Sequence, residues 1–322
     1  MSAVHKPLNP RIELSQLSRL LRQPVSVYLN DHLNVRLTSP QVDVQESEPF
    51  ALDALQRYQL THAVATSEQP EHMLSLLRMS GQLALAGLGE QQTQALRQHS
   101  DTLRERMAHW LQPDQQALPL QSIELPMHID GDTFTLCAQW PQSQQIWRMS
   151  SDGQSCLQLD VRAGSVVQGK DDAPQPRGNT LCDVWLYHLV ACAGGLSTTS
   201  VQLGLKGELR FEPMSAQAAQ HELTQLVGLY QQAWQRALPV ARDSACAWWV
   251  ATVYNAKNPE QEAQQCFEGN HQRTGELQKH AVLQRVFTRF DDLRTEQPVW
   301  AEALYGQMIR SVQVVSHESE AP

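Results

Sequence analysis

Asp160 and Arg162 are the residues of this sequence whose types and spacing best suit chemistry on phosphate esters. They lie in the segment CLQLDVRAGSVV, in which Leu157, Leu159 and Val161 alternate with polar residues. Because side chains alternate across a strand, the carboxylate and the guanidinium should point to the same face. A carboxylate beside a cation forms half of a metal-dependent phosphodiesterase site, which also requires a second acidic ligand.

The end of the preceding strand offers no such second acid. The segment FTLCAQWPQ alternates apolar residues between Phe134 and Trp140 and ends at Pro141. A proline has no side-chain oxygen with which to bind a metal ion. The alternative explanation of Asp160 and Arg162 is an exposed ion pair that contributes little to stability.

Three blocks of different periodicity surround these strands. Residues 13–115 show the spacing of amphipathic helices, residues 119–213 contain alternating strands, and residues 215–315 return to helical spacing. We expect these blocks to form a single domain over residues 13–315. The flanking segments 1–12 and 316–322 are predicted to be disordered.

The middle block contains the clearest turn signal. Strict alternation from Ile123 to Ile129 precedes Asp130 and Gly131, which predicts a β-hairpin. The polar segment 168–178, QGKDDAPQPRG, has the composition of a disordered loop, and a helix is predicted from about 180 to 193.

Composition limits the classes of function. A net charge of −9 and a pI near 5.7 argue against a chain whose whole surface grips nucleic acid. The six cysteines include no CxxC pair and lie mostly in apolar runs, which favours buried thiols over a zinc site or disulfides. The sequence has neither a hydrophobic signal core nor an apolar run of membrane-spanning length, so we expect a cytoplasmic location.

Five segments, in this order, carry a resemblance to a known family: LSRLLRQPVSVYLNDHLNV, EPFALDALQRYQL, CDVWLYHLVACAGG, KGELRFEP and WWVATVYNAKN. Together they resemble the C-terminal region of the exodeoxyribonuclease V gamma chain, the RecC family, over about residues 12–310. The resemblance implies an α/β (α+β) fold with a PD-(D/E)XK restriction-endonuclease-like core, similar to the RecB nuclease, and extensive helical additions. It also implies a nonenzymatic role in the RecBCD helicase and nuclease complex. Members of the family hold RecB-type and RecD-type subunits together, help to split the incoming duplex end and read the Chi sequence.

The resemblance also implies which catalytic positions have changed. Pro141 stands at the first Asp of active relatives, Asp160 and Arg162 at the second Asp and the Lys, and Asp183 and Tyr187 at a Gln and a Tyr on the following helix. Asp160 and Tyr187 alone are retained, so we expect no catalysis. We expect no metal or cofactor in this chain, although the parent complex uses ATP and Mg²⁺.

Full-length members of the family have a further N-terminal, helicase-like region to which nothing in this sequence corresponds. We therefore expect the chain to be a fragment of the subunit or a shortened gene product. That difference puts Chi reading by this chain alone in doubt. Candidates for the element that splits the duplex are the loops at 142–145, 168–178 and 268–275.

Two other functions remain open. An active metal-dependent nuclease would require Asp132 or Asp152 to supply the missing acidic ligand. A free-standing nucleic-acid-binding module would use basic residues of the last block to follow phosphates, namely Arg273, Lys279, Arg285, Arg289 and Arg294. Acidic residues are interleaved with this group, which favours a solvated surface over a phosphate-binding track.

Overall fold

The elements of the chain follow the three blocks that the periodicity predicts. The computed structural model describes residues 8–35, 52–140, 145–151, 153–170, 172–255, 258–271 and 273–315. The first block contains β1 (Arg11–Glu13), α1 (Leu14–Arg22), α2 (Pro24–Ser26), a π-helix (Val27–His32), α3 (Ala54–Thr66), α4 (Pro70–Met79) and α5 (Ala86–Trp110). The middle block contains β2 (Gln116–Ala117), β3 (Gln121–Ile129), β4 (Asp132–Trp140), β5 (Ile146–Met149), β6 (Ser155–Val161), β7 (Val167–Lys170), β8 (Ala173–Pro176), a 3₁₀ turn (Gly178–Thr180), α6 (Cys182–Ala193), β9 (Ser197–Leu203) and β10 (Glu208–Phe211). The last block contains α7 (Ala216–Gln235), α8 (Arg242–Tyr254), α9 (Pro259–Glu268), β11 (Gly269–Asn270), β12 (Arg273–Thr274), α10 (Glu276–Lys279), α11 (Ala281–Val286), a 3₁₀ turn (Phe290–Asp292), α12 (Gln297–Ala301), a π-helix (Glu302–Gly306), α13 (Gln307–Ser311) and β13 (Gln313–Val315).

A six-stranded sheet with the order β13-β10-β9-β6-β5-β2 lies at the centre. β6 and β9 are parallel, with α6 between them in the chain, and the other neighbouring strands pair antiparallel. A helix that connects two parallel strands packs back onto the face of their sheet. The sequence of α6, CDVWLYHLVACA, has almost no polar face, and all of its residues except Asp183 are buried. It packs between the sheet, α1 and α7.

The other face of the sheet is covered by the first block. Leu103 and Met107 of α5 pack with Leu157, Leu159 and Val161 of β6. The alternation predicted for β6 is therefore confirmed, with its leucines on the α5 side. Its polar face is buried as well, because α6 covers it: Gln158 is 0% and Asp160 is 6% exposed.

A second, three-stranded sheet has the order β1-β4-β3. Its hairpin turns at Asp130 and Gly131, whose φ angles of 49° and 91° both lie in the left-handed region, so the predicted hairpin is confirmed. β4, which the sequence grouped with β6 in one core, pairs instead with β3 on one edge and with β1 on the other. Because β1 and β3 occupy both of its edges, β4 belongs to a different sheet from β6.

Three local predictions differ from the structure. Residues 11 and 12 lie in β1 rather than in a disordered segment, because β1 pairs with β4 and Ile12 is 1% exposed. The segment 168–178 is largely a hairpin, β7 and β8, in which Val167 pairs with Pro176. The last block also contributes a strand, since β13 pairs with β10 at the edge of the central sheet.

The remaining predictions on the terminal segments concern residues 1–7 and 316–322, which lie outside the described residues. Among the helices that the structure describes, none has the length and apolar character needed to cross a membrane.

Candidate functional site

Asp160 and Arg162 form a buried ion pair at the end of β6. The Nε of Arg162 donates a hydrogen bond of 2.7 Å to Oδ2 of Asp160. The Asp160 side chain is only 9% exposed, whereas that of Arg162 is 30% exposed. The expectation of an exposed pair is therefore wrong, because α6 and the neighbouring strand exclude water from the carboxylate. The contribution of the pair to stability stays a prediction.

A neighbouring strand supplies a second donor to the same oxygen. Gln202 of β9 stands opposite Asp160 in the parallel register, and its Nε2 donates to Oδ2 of Asp160 at 2.8 Å. The amide also donates to the carbonyl of Thr180 at 3.0 Å and accepts from the Thr180 hydroxyl at 2.8 Å. The Asp160 carboxylate is thus fixed by hydrogen bonds within the protein, which is what a buried charge requires.

α6 presents Asp183 and Tyr187 to the same region, one helical turn apart. The Asp183 carboxylate accepts a 2.7 Å hydrogen bond from the hydroxyl of Ser18 and a bidentate interaction from Arg22, both on α1. Burial raises the pKa of the Tyr187 phenol to about 12, so this hydroxyl remains protonated at neutral pH.

These side chains line one cleft of about 500 Å³ between α1, α6 and the end of β6. Its walls consist of Ser15, Ser18, Arg19, Arg22, Gln23, Gln145, Asp160, Arg162, Asp183 and Tyr187. The structure therefore brings together four of the five positions identified from the sequence. The fifth, Pro141, and the alternative ligand Asp152 lie outside the described residues.

The donor set of this cleft does not fit Mg²⁺. Each of its two carboxylates is bonded to a guanidinium group, Asp160 to Arg162 and Asp183 to Arg22. Mg²⁺ needs carboxylate oxygens free to complete an octahedral shell. Across the described part of the chain, no cluster of three or more acidic, histidine or cysteine side chains is arranged to hold a metal ion.

A chain of buried hydrogen bonds extends from the cleft beneath α6. Gln145 at the cleft wall accepts a 3.0 Å hydrogen bond from Gln158, and Gln158 accepts one of 2.5 Å from Ser200. Ser200 in turn lies 2.8 Å from Nδ1 of His188. Burial lowers the pKa of His188 to about 4, so the imidazole is neutral at physiological pH.

This second layer of residues was not predicted from the sequence. The available signal was the polar alternation within two apolar strands, in which Gln158 and Asp160 of β6 face Ser200 and Gln202 of β9. Polar residues at successive inward positions of strands covered by a helix mark a buried hydrogen-bond network.

The basic residues of the last block lie elsewhere. Among the members of this group whose side chains the structure describes, none lines the cleft: Lys279, Arg285, Arg289 and Arg294. The side chain of Arg273 lies outside the described part of the chain. Arg294 pairs with Glu260 and Asp291, and Arg289 lies 3.9 Å from Asp292. Lys279 and Arg285 are exposed on α10 and α11. A role for this group in binding DNA stays a prediction.

Comparison with known proteins confirms the family resemblance. The family model described as RecC C-terminal domain matches residues 9–252. The RecBCD enzyme subunit RecC of Escherichia coli (strain K12) is 29% identical over 254 residues, which are 77% of this chain and 20% of that protein. The chain therefore spans about a fifth of the length of this curated relative. Because the family model covers most of the chain, the protein belongs to the family of RecC C-terminal domains.

Proposed function

We propose that this chain is a noncatalytic, nuclease-like scaffold of a RecBCD-type enzyme, acting in double-strand break repair by homologous recombination. The proposal rests on one observation: Arg162 and Gln202 both donate hydrogen bonds to the carboxylate of Asp160. The acidic position of a nuclease site is retained, but a cation of the protein takes the place of the metal ion. Such a site has no free carboxylate oxygen for a catalytic metal ion, and breaking its ion pair would leave a buried charge uncompensated.

The proposed origin is a PD-(D/E)XK nuclease core. It is supported by the succession β5, β6, α6 and β9, in which a hairpin is followed by a helix and a parallel strand. It is also supported by the cleft, since the degenerate positions on β6 and α6 converge there. The first block and the last block surround this core as helical additions.

The proposed partners are a RecB-type subunit, a RecD-type subunit and the forked end of double-stranded DNA. The curated relative is named as a subunit of the RecBCD enzyme, which supports assembly as the role of this domain. In this proposal ATP and Mg²⁺ act in the partner subunits. The hairpin segment 168–178 and the segment 268–275 remain candidates for contact with the DNA fork.

Co-purification tests the assembly role. The 322-residue chain carrying an affinity tag is expressed with the RecB-type and RecD-type subunits of the same organism, in the presence and absence of a forked duplex. We expect at least one subunit to be retained with the chain at moderate salt, and retention should persist in the exposed-surface variant Arg78→Gln. Failure to retain either subunit or the forked duplex under mild conditions would contradict the proposal.

A further inference from the structure

A second cavity, of about 490 Å³, lies between the β7–β8 hairpin and helices α8 and α9. The described residues that line it and those that line the cleft at Asp160 are entirely different. Its volume falls in the range of small-molecule and cofactor sites. The residues of its walls indicate what it binds.

The hairpin wall combines amides with cations. Gln168 of β7 pairs across the hairpin with Gln175 of β8, so their side chains share one face. Lys170, two residues further along β7, points to that face too, and Arg177 follows the end of β8. Neither cation forms an ion pair with an acidic residue in the described part of the chain. Both are exposed and available to an anionic ligand.

The opposite wall is apolar along one side of α8, and two carboxylates complete it: Asp243 of α8, which pairs with Arg242, and Glu262 of α9. Ala247, Val250 and Ala251 of α8 line the cavity, and the two alanines leave room where larger side chains would fill it. Gln265 of α9 adds a further amide beside this surface. A primary amide donates and accepts at once, and it therefore matches the mixed edge of a heterocyclic base. The apolar surface of α8 suits the flat face of the same ring.

From these walls we infer that the cavity binds a nucleotide unit. The phosphate lies against Lys170 and Arg177, and the base lies between the alanines of α8 and the amides of Gln168 and Gln175. An acidic peptide would use the cations but would leave the apolar wall and the amides without a function. The same chemistry is offered by a free nucleoside monophosphate and by one nucleotide of a single strand.

This inference goes beyond the assembly role and does not depend on it, because the ligand is bound by the chain alone. Failure of the subunits to co-purify would leave it intact, and a chain that assembles but binds no nucleotide would refute it separately.

The test measures binding by calorimetry and fluorescence anisotropy with the complete 322-residue chain. The probes are dAMP, dTMP and the pentanucleotides of each base, at low ionic strength and at about 150 mM salt. Lys170→Gln combined with Arg177→Gln should weaken binding about tenfold or more, because two charge-assisted contacts to phosphate are lost. The matched control, Arg78→Gln combined with Lys206→Gln, makes the same change of charge at exposed positions outside the cavity and should bind normally.

A cavity-filling variant separates the base from the phosphate. Ala247→Trp places a large side chain on the apolar wall without changing charge, and it should abolish binding of the mononucleotides. Circular dichroism checks that this variant folds, and the two charge variants, which alter only exposed residues, decide the question if it does not.

Each result has a defined meaning. Pentanucleotides that bind about tenfold or more tightly than mononucleotides identify a single strand as the source, and similar affinities identify a free nucleotide. The inference is overturned if no probe binds at low ionic strength, if both double variants weaken binding equally, or if folded Ala247→Trp binds normally. It is also overturned if an oligoglutamate peptide displaces the nucleotide at comparable concentration, since the cavity would then select for charge alone.

Discussion

Gln202 stands directly opposite Asp160 in the parallel pairing of β9 with β6, and its amide donates a 2.8 Å hydrogen bond to the Asp160 carboxylate. Arg162 donates to the same oxygen. The two donors explain how the Asp160 carboxylate is accommodated in the interior of the protein. The carboxylate is part of the hydrogen-bonded layer that links β6 and β9 beneath α6.

Arg162→Ala should destabilise the chain by about 2–3 kcal/mol, because it leaves the buried Asp160 carboxylate without its counter-charge. Chemical denaturation measures the free energy of unfolding. Arg11→Ala is the matched control, since the pair of Arg11 with Glu124 is more than half exposed on both sides and should contribute little to stability. Equal losses in the two variants would contradict the structural role of Arg162.

His188 makes stability fall at acidic pH. Its pKa is lowered by burial to about 4 in the folded chain and lies near 6.5 in the unfolded chain, so the unfolded state binds more protons between these values. Stability should therefore decrease as the pH falls from 6.5 to 4, by on the order of 3 kcal/mol for this group. His188→Gln retains a hydrogen-bond donor for Ser200 but does not titrate. In this variant the free energy of unfolding, measured with urea, should change less between pH 6.5 and pH 4. An unchanged slope would show that His188 is not a source of the acid sensitivity.

Divalent ions should leave the thermal stability unchanged. A ligand raises the melting temperature only if it binds the folded state, and both carboxylates of the cleft already hold guanidinium groups. Scanning calorimetry with Mg²⁺ at millimolar concentration should give the same melting temperature as the metal-free scan. In a cleavage assay with Mg²⁺, single-stranded and double-stranded DNA should remain uncut. A Mg²⁺-dependent rise in melting temperature that disappears in Asp160→Asn would instead indicate a metal site.

Gly207 packs closely against Val167 at the start of the β7–β8 hairpin. It has a φ of +80°, and an added Cβ would lie 2.4 Å from a methyl carbon of Val167 on β7. Gly207→Ala should therefore cost backbone strain of about 1 kcal/mol and a further ~1–3 kcal/mol for the clash. Gly195→Ala is the control, because Gly195 has a φ of +90° with open space around it. Urea denaturation of the two variants isolates the contribution of the contact, and a difference below about 0.5 kcal/mol would refute it.

Local periodicity was sufficient to predict the strands β4 and β6, the turn at Asp130 and Gly131, and the helix α6. These elements follow from alternation, from φ preferences and from an apolar run, all of which are encoded within a few residues. The association of β4 with β1 and β3 was not predictable in this way. Nothing near Phe134 in the sequence indicates that Ile12, more than a hundred residues earlier, belongs to the same sheet.

The site was predicted in part for a similar reason. The resemblance to a family pointed to Asp160, Arg162, Asp183 and Tyr187, and these side chains do line one cleft. The partners that decide their chemistry come from distant elements: Arg22 from α1 and Gln202 from β9. Which of several arginines would neutralise each carboxylate depends on how helices pack, and pattern alone does not specify that packing.

The edge strand β13 has a consequence for the order of folding. Its pairing of Val315 with Glu208 joins residues 107 positions apart, so the outer strand of the central sheet is made long after its neighbour β10. During synthesis this edge of β10 stays unpaired while the helices of the last block emerge from the ribosome. Contacts of such long range slow folding, and an uncovered strand edge can pair with another chain. The domain is therefore most exposed to aggregation until the strand at 313–315 has joined the sheet.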